Sequence, residues 1–222
     1  MTDIITRDIA EDEIFICRGP TIIEGNIGKG ARVLGTNGDL HIAGNVGDEV
    51  CIELEIGFQA PTTNNASISG LYNRTSVKTS GGLLVKGDDV SSDLGACVLT
   101  LDGTVGNYVD LKSAGSIILK KKAGSYLTAN AQNEIIASDF GHDAKLICKG
   151  NLTAISIGSH SKAKAEGSAN IAIICDRSNV TAGNNVNSLA INAGSRVKAG
   201  NEIIAEGVHD KAKLKAKKLT LN

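Results

Sequence analysis

The chain has 222 residues, enough for one large domain or two small ones, and its net charge of −1 excludes a molecule-wide field for nucleic acid or a membrane surface. Apolar residues make up 41% but aromatics only 3%, with no Trp, which argues against a wide core filled by rings and suits a narrow tube of Val, Ile, Leu and Ala. The 26 Gly against 2 Pro ask for many tight corners and few rigid breaks.

At the N-terminus, MTDIITRDIAEDE carries acids where a secretion signal would begin with basic residues and an apolar run. No stretch approaches the ~20 apolar residues of a membrane helix. The expectation is a cytoplasmic chain without a membrane span. Residues 2–13 are expected to form a short amphipathic helix, and residues 13–17 (EIFIC) a strand. Residues 1–21 would then cap the first turn of a repeat array, because an open end exposes core and unpaired backbone.

The repeat itself begins at Gly30. A phrase, Gly-x-x-apolar-x-apolar, returns at residues 106–111 (GNYVDL), 124–129 (GSYLTA), 141–146 (GHDAKL) and 194–199 (GSRVKA). Its first apolar residue falls at Val109, Leu127, Ala144, Ala163, Val180 and Val197, in steps of 18, 17, 19, 17 and 17 residues. A fixed period near 17 is the mark of a solenoid. Extended in both directions, the ladder has eleven rungs and adds Val33, Val50, Ile68, Val90 and Leu214. Residues 58–76 are rich in Thr, Asn and Ser and read as an irregular loop within the array.

A second apolar set follows about eight residues later, at Ile117/Leu119, Ile135, Leu152, Ile171/Ile173, Leu189/Ile191, Ile203 and Leu219/Leu221. Its alternation has the two-residue period of a strand and not the 3.6 of a helix. Each repeat therefore holds at least two short strands. Gly-Asn pairs at Gly25, Gly44, Gly106, Gly150, Gly183 and Gly200 supply corner residues that tolerate positive φ, and stacked Asn side chains could form amide ladders. The expected fold is an all-β, single-domain parallel β-helix over residues 22–222. It has about 17 residues per coil, with the right-handed crossovers that are the default for parallel strands.

With the repeat in hand, residues 22–55 (IIEGNIGKGARVLGTNGDLHIAGNVGDEVCIELE) resemble the bactofilins, bacterial cytoskeletal proteins built as a parallel β-helix. The texture is also similar to the solenoid domain of flagellar-assembly-protein-A-type proteins. The resemblance implies a non-enzymatic scaffold that self-associates end to end.

Charge supplies a candidate mechanism for that association. Residues 196–222 hold seven cations against three acids, a net of +4, whereas residues 1–24 hold six acids against two arginines, a net of −4. The candidate self-association residues are Lys211, Lys213, Lys215 and Lys217, spaced to project from one face, with Glu11, Asp12 and Glu13 at the opposite end. The competing explanation is that the Lys row guards an edge strand against aggregation.

Other chemistry finds little support. The five cysteines show no CxxC and read as small buried apolar residues in a reducing compartment. His142 and His160 are 18 apart and could face each other on adjacent coils, but no carboxylate or Cys pattern completes a metal or catalytic site. Ile27 and Val33 echo the six-residue step of hexapeptide acyltransferases, yet the next step reaches Asp39. A carbohydrate-active β-helix would present aromatics for sugar stacking, whereas Tyr108 and Tyr126, one coil apart, are expected to stack on each other. A rod that binds another protein, through residues 58–76, is a further reading. No catalytic, cofactor-binding or metal residue is assigned, and no nucleic-acid partner is expected.

Overall fold

The computed structural model describes residues 2–36, 38–55, 66–71, 76–79, 82–85, 93–96 and 98–221, and among them there is no helix. Strands alternate between two sheets, one of thirteen strands and one of twelve. Each strand pairs in parallel with the strand two places along the chain, which is the topology of a parallel β-solenoid. In the twelve-stranded sheet, Lys145, Lys162, Asn179, Arg196 and Lys213 stand in register one above the next, each 17 residues from the last. At ~4.8 Å per coil, twelve coils make a rod roughly 55–60 Å long.

The core follows from the alternation. The strand phrases 145–148 (KLIC), 162–165 (KAKA) and 196–199 (RVKA) bury every second residue and leave the others exposed or, at Ile147, half-buried. A coil such as 161–174 sends Ser161, Ala163, Ala165, Ala169, Ile171 and Ile174 inward, all buried. Among the described residues, Phe140 is the one aromatic in the buried core, and the tube there is narrow and aliphatic as its composition requires. Burying each larger aliphatic contributes roughly 1.5–3 kcal/mol.

Four expectations change. First, residues 3–17 are not helix and strand outside the array. Strand Asp3–Ile5 pairs with Thr21–Ile23, Ile9 bridges to Ile27, and Ile14–Cys17 pairs with Arg32–Thr36, so the expected strand at 13–17 is present and the expected helix is not. Ile14 and Ile16 face out while Phe15 and Cys17 between and after them face in, the two-residue spacing of a strand, and this overrides a helical reading of a polar stretch.

Second, the ladder of rungs slips by two. The column through Val33 continues to Ile52, Val77, Leu94, Leu111, Ala129 and Leu146 before reaching Ala163, Val180, Val197 and Leu214. Val50, Val109, Leu127 and Ala144 lie two residues earlier, also inward, at the corner that leads into the strand. Ile68 belongs to the other sheet, where it pairs with Ile42 and Val85. Val90 lies outside the described residues. Ile42 and Ile68 are 26 residues apart, nine more than a normal coil, so this coil carries an insertion. Of the segment expected to be irregular at 58–76, residues 66–71 form a paired strand, and residues 58–65 and 72–75 lie outside the described ones.

Third, Ile173 and Leu189 face outward, at 39% and 54% exposure. Their strands place two successive residues outward where the chain bends toward its next corner, so strict alternation fails there.

Fourth, the Gly-Asn glycines are not the positive-φ residues. Among the described residues, positive φ falls on Asp12, Gly30, Glu49, Tyr108, Tyr126, Asp143, His160, Arg177 and Gly194, each at the same corner of its own coil. The glycine of the Gly-Asn pair serves a different need. A Cβ on Gly200 would overlap the carbonyl oxygen of Gly183, and one on Gly183 that of Glu166, so backbones of successive coils approach too closely for a side chain. The paired Asn accepts a backbone N–H from the following coil: Asn26 Oδ1 from Asn45 (3.0 Å), Asn107 Oδ1 from Ser125 (2.7 Å) and Asn151 Oδ1 from Ser168 (2.8 Å). An amide pair does form, but elsewhere, where Asn187 Nδ2 donates to Asn170 Oδ1 at 2.7 Å.

Candidate association surfaces

A β-solenoid offers three kinds of surface: its two ends, its flat sheet faces and its corners. At the C-terminal end, the Lys-rich segment forms two strands. Lys213–Lys215 closes the twelve-stranded sheet and Lys218–Leu221 the thirteen-stranded one. Lys211, Lys213, Lys215 and Lys217 are all exposed, while Ala212, Leu214 and Ala216 pack on the core between them. Lys218 is ion-paired with Glu202 at 2.7 Å, and that contact, with a hydrogen bond from Thr220, holds the Glu202 carboxyl below its usual range. Leu219 and Leu221 are 48% and 54% exposed.

At the N-terminal end, Glu11 and Asp12 are exposed, on the turn before strand Ile14–Cys17. Glu13 differs from them. Its carboxylate takes both guanidinium nitrogens of Arg7 (2.6 and 3.0 Å) and the backbone N–H of Ala10 (2.8 Å). Those bonds lower its pKa to about 2 and satisfy its charge within the first coil. Glu11 and Asp12 are therefore the two of the three acids free to meet a partner.

The positive-φ corner makes a ridge along the rod. The rings of Tyr108 and Tyr126 stack on it at 4.8 Å, and His142 meets Tyr126 edge-on at 4.9 Å. His142 Nδ1 lies 2.7 Å from Asp143 Oδ2. His142 and His160 sit on adjacent coils without contact between them, and no group of three His, Cys, Asp or Glu is placed to hold a metal among the described residues.

The outer surface of the thirteen-stranded sheet bends into a shallow groove of about 400 Å³, lined by Asn170, Asn187, Ala172, Leu189, Ile204 and Glu206. Sequence reasoning placed Leu189 inward and missed this groove; the signal was the run of outward-compatible residues 17 apart. It also missed the outer face of the twelve-stranded sheet, where cations recur at the same interval.

None of the described cysteines is in a disulfide. Cys17 and Cys148 are buried, and Cys51 and Cys175 half-buried; Cys97 lies outside the described residues. Burial, with smaller contributions from Glu134 and Glu166, pushes the Cys148 thiol up to about 11, so little of it is thiolate near neutral pH. Among the described residues, no helix is long and apolar enough to cross a membrane. No family model, curated protein or solved structure matches the chain.

Proposed function

We propose that this chain is a non-enzymatic scaffold whose rods join head to tail, in the manner implied by its resemblance to the bactofilins. The observation that carries the reading is the match between its two ends. Continuing the solenoid from one copy to the next, in the register the coils already use, sets Lys211 on Asp12, Leu214 on Phe15 and Leu221 on Ile5. The contact covers apolar residues left partly open at each end and brings a net +4 against a net −4. It is heterologous, so it propagates and does not close.

The strand edges support the same geometry. The outer edges of Lys213–Lys215 and Lys218–Leu221 pair with no other strand among the described residues, nor do those of Ile14–Cys17 and Asp3–Ile5. A parallel end-to-end contact would satisfy both rows of backbone groups at once. Light scattering and negative-stain micrographs of the 222-residue chain test the reading. Filaments should appear at low salt, shorten in high salt, and disappear in a Lys213→Glu/Lys215→Glu/Lys217→Glu variant. A strictly monomeric profile at high protein and low salt would overturn it.

A further inference from the structure

The outer face of the twelve-stranded sheet is strongly basic over its last five coils. One in-register column carries Lys145, Lys162, Arg196 and Lys213, interrupted by Asn179. The next column carries Lys164, Lys198 and Lys215, interrupted by Thr181 and preceded by Ile147. All seven cations are exposed. None takes a carboxylate partner among the described residues, whereas Lys112, Lys120 and Lys218 elsewhere reach Asp110, Asp102 and Glu202 at 2.7, 3.2 and 2.7 Å.

Physical spacing makes this arrangement costly. Cations on adjacent coils stand ~4.8 Å apart along the rod, and neighbours on one strand ~7 Å apart across it, inside the ~8 Å screening length of physiological salt. Like charges opposite each other on neighbouring strands destabilise a sheet. A bound polyanion would remove that repulsion.

The surroundings narrow the kind of polyanion. The strip is only two columns wide. The corner on one side carries Asp143, Asp176 and Asp210 interspersed with Arg177 and Lys211, and the corner on the other carries Glu166 one coil from Lys149. A broad anionic membrane would press against those carboxylates as well as the cations, and a nucleic-acid duplex is far wider than the strip. No aromatic side chain stands on it, so the bases of a single strand would find no stacking platform. A thread without bases remains. One sugar residue of an extended polysaccharide has about the rise of one coil, so a chain with one anion per sugar can meet a cation at every coil of the strip except that of Asn179 and Thr181.

We propose that this face binds a linear acidic polysaccharide laid along the rod axis, its carboxylates or sulfates paired with Lys145, Lys162, Lys164, Arg196 and Lys198. These five lie away from the last coil, so the site does not depend on the head-to-tail contact.

Fluorescence polarisation with labelled polygalacturonate tests the proposal directly. Neutral dextran, a thymidine oligonucleotide, duplex DNA and phosphatidylglycerol vesicles serve as the comparison ligands. Polygalacturonate should bind, and its affinity should fall at least about tenfold between ~50 and ~200 mM salt, as release of several counterions requires. A Lys164→Glu/Lys198→Glu variant should lose at least tenfold more, and dextran should not bind. The milder Lys164→Gln/Lys198→Gln variant, checked for an unchanged circular-dichroism spectrum, should give an intermediate loss. Absence of polygalacturonate binding, equal binding by folded variants, or tighter binding to either nucleic acid or the vesicles would each overturn the proposal.

Discussion

Tyr126 lies flat against Tyr108, with ring centroids 4.8 Å apart and planes within 1° of parallel. Both residues have positive φ, at 58° and 60°, a conformation disfavoured for aromatic side chains. The stack helps offset that strain at two successive corners. A double-mutant cycle on Tyr108→Ala and Tyr126→Ala should therefore give a coupling energy of about 0.5–1.5 kcal/mol in urea unfolding. Strict additivity of the two substitutions would mean that the rings lie together without stabilising each other.

Two glycines separate conformational freedom from close approach. Gly194 has φ of 68°, and a Cβ there would meet only the Arg177 side chain, at 3.3 Å. Gly200 has ordinary φ, but a Cβ would overlap the Gly183 carbonyl oxygen. Gly194→Ala should cost about 1 kcal/mol, the usual left-handed penalty. Gly200→Ala should cost more, about 2–3 kcal/mol or greater, because two coils must separate to admit it. Thermal unfolding of the two variants ranks them, and the reverse order would contradict this division of roles.

Those glycines also mark what the sequence could disclose. The 17-residue step and the alternation in KAKA and RVKA were enough to read a parallel β-solenoid, because burial in a tube repeats in both period and phase. Phase within the coil was harder. Ala144 and Ser161 occupy the same corner position, but a serine does not announce itself as core, so the ladder jumped to Ala163 with a step of 19. The ends were legible as charge, but the pairing of Glu13 with Arg7 required the fold of the first coil. The cationic face went unseen because its lysines sum to nothing unusual in a chain of net charge −1; only register gathers them on one surface.

The corner position that misled the ladder yields its own test. Ser161, Ser178 and Ser195 are fully buried one above another. Ser178 Oγ donates to the Gly158 carbonyl at 3.0 Å, Ser195 Oγ donates to that of Cys175 at 2.8 Å, and the Ser178 N–H donates to Ser195 Oγ at 3.3 Å. These hydroxyls satisfy corner backbone groups that would otherwise be buried without partners. Ser178→Ala removes a donor and leaves the Gly158 carbonyl without that hydroxyl partner. The expected loss is about 1–2 kcal/mol in denaturant unfolding with an unchanged m-value. A neutral effect would show that other donors reach that carbonyl.

The acid end carries a pH signature that separates its carboxylates. Hydrogen bonds from Arg7 and from the Ala10 N–H, with the Arg7 charge, hold the Glu13 pKa at about 2, against 4.5 without them. A carboxyl lowered by folding stabilises the native state above its ordinary pKa, and that contribution disappears as pH falls through the lowered value. The native first coil should thus keep the Arg7–Glu13 pair between pH 4.5 and about 2, where ordinary carboxylates are already protonated, and lose it below. Carboxyl-carbon NMR titration should give Glu13 a midpoint near 2, and Arg7→Gln should raise it toward the ordinary Glu range but not fully to it, because the Ala10 N–H bond remains. An ordinary midpoint in the unaltered chain would mean that Glu13 is free at the end of the rod, and would add a third acid to those available to meet Lys211.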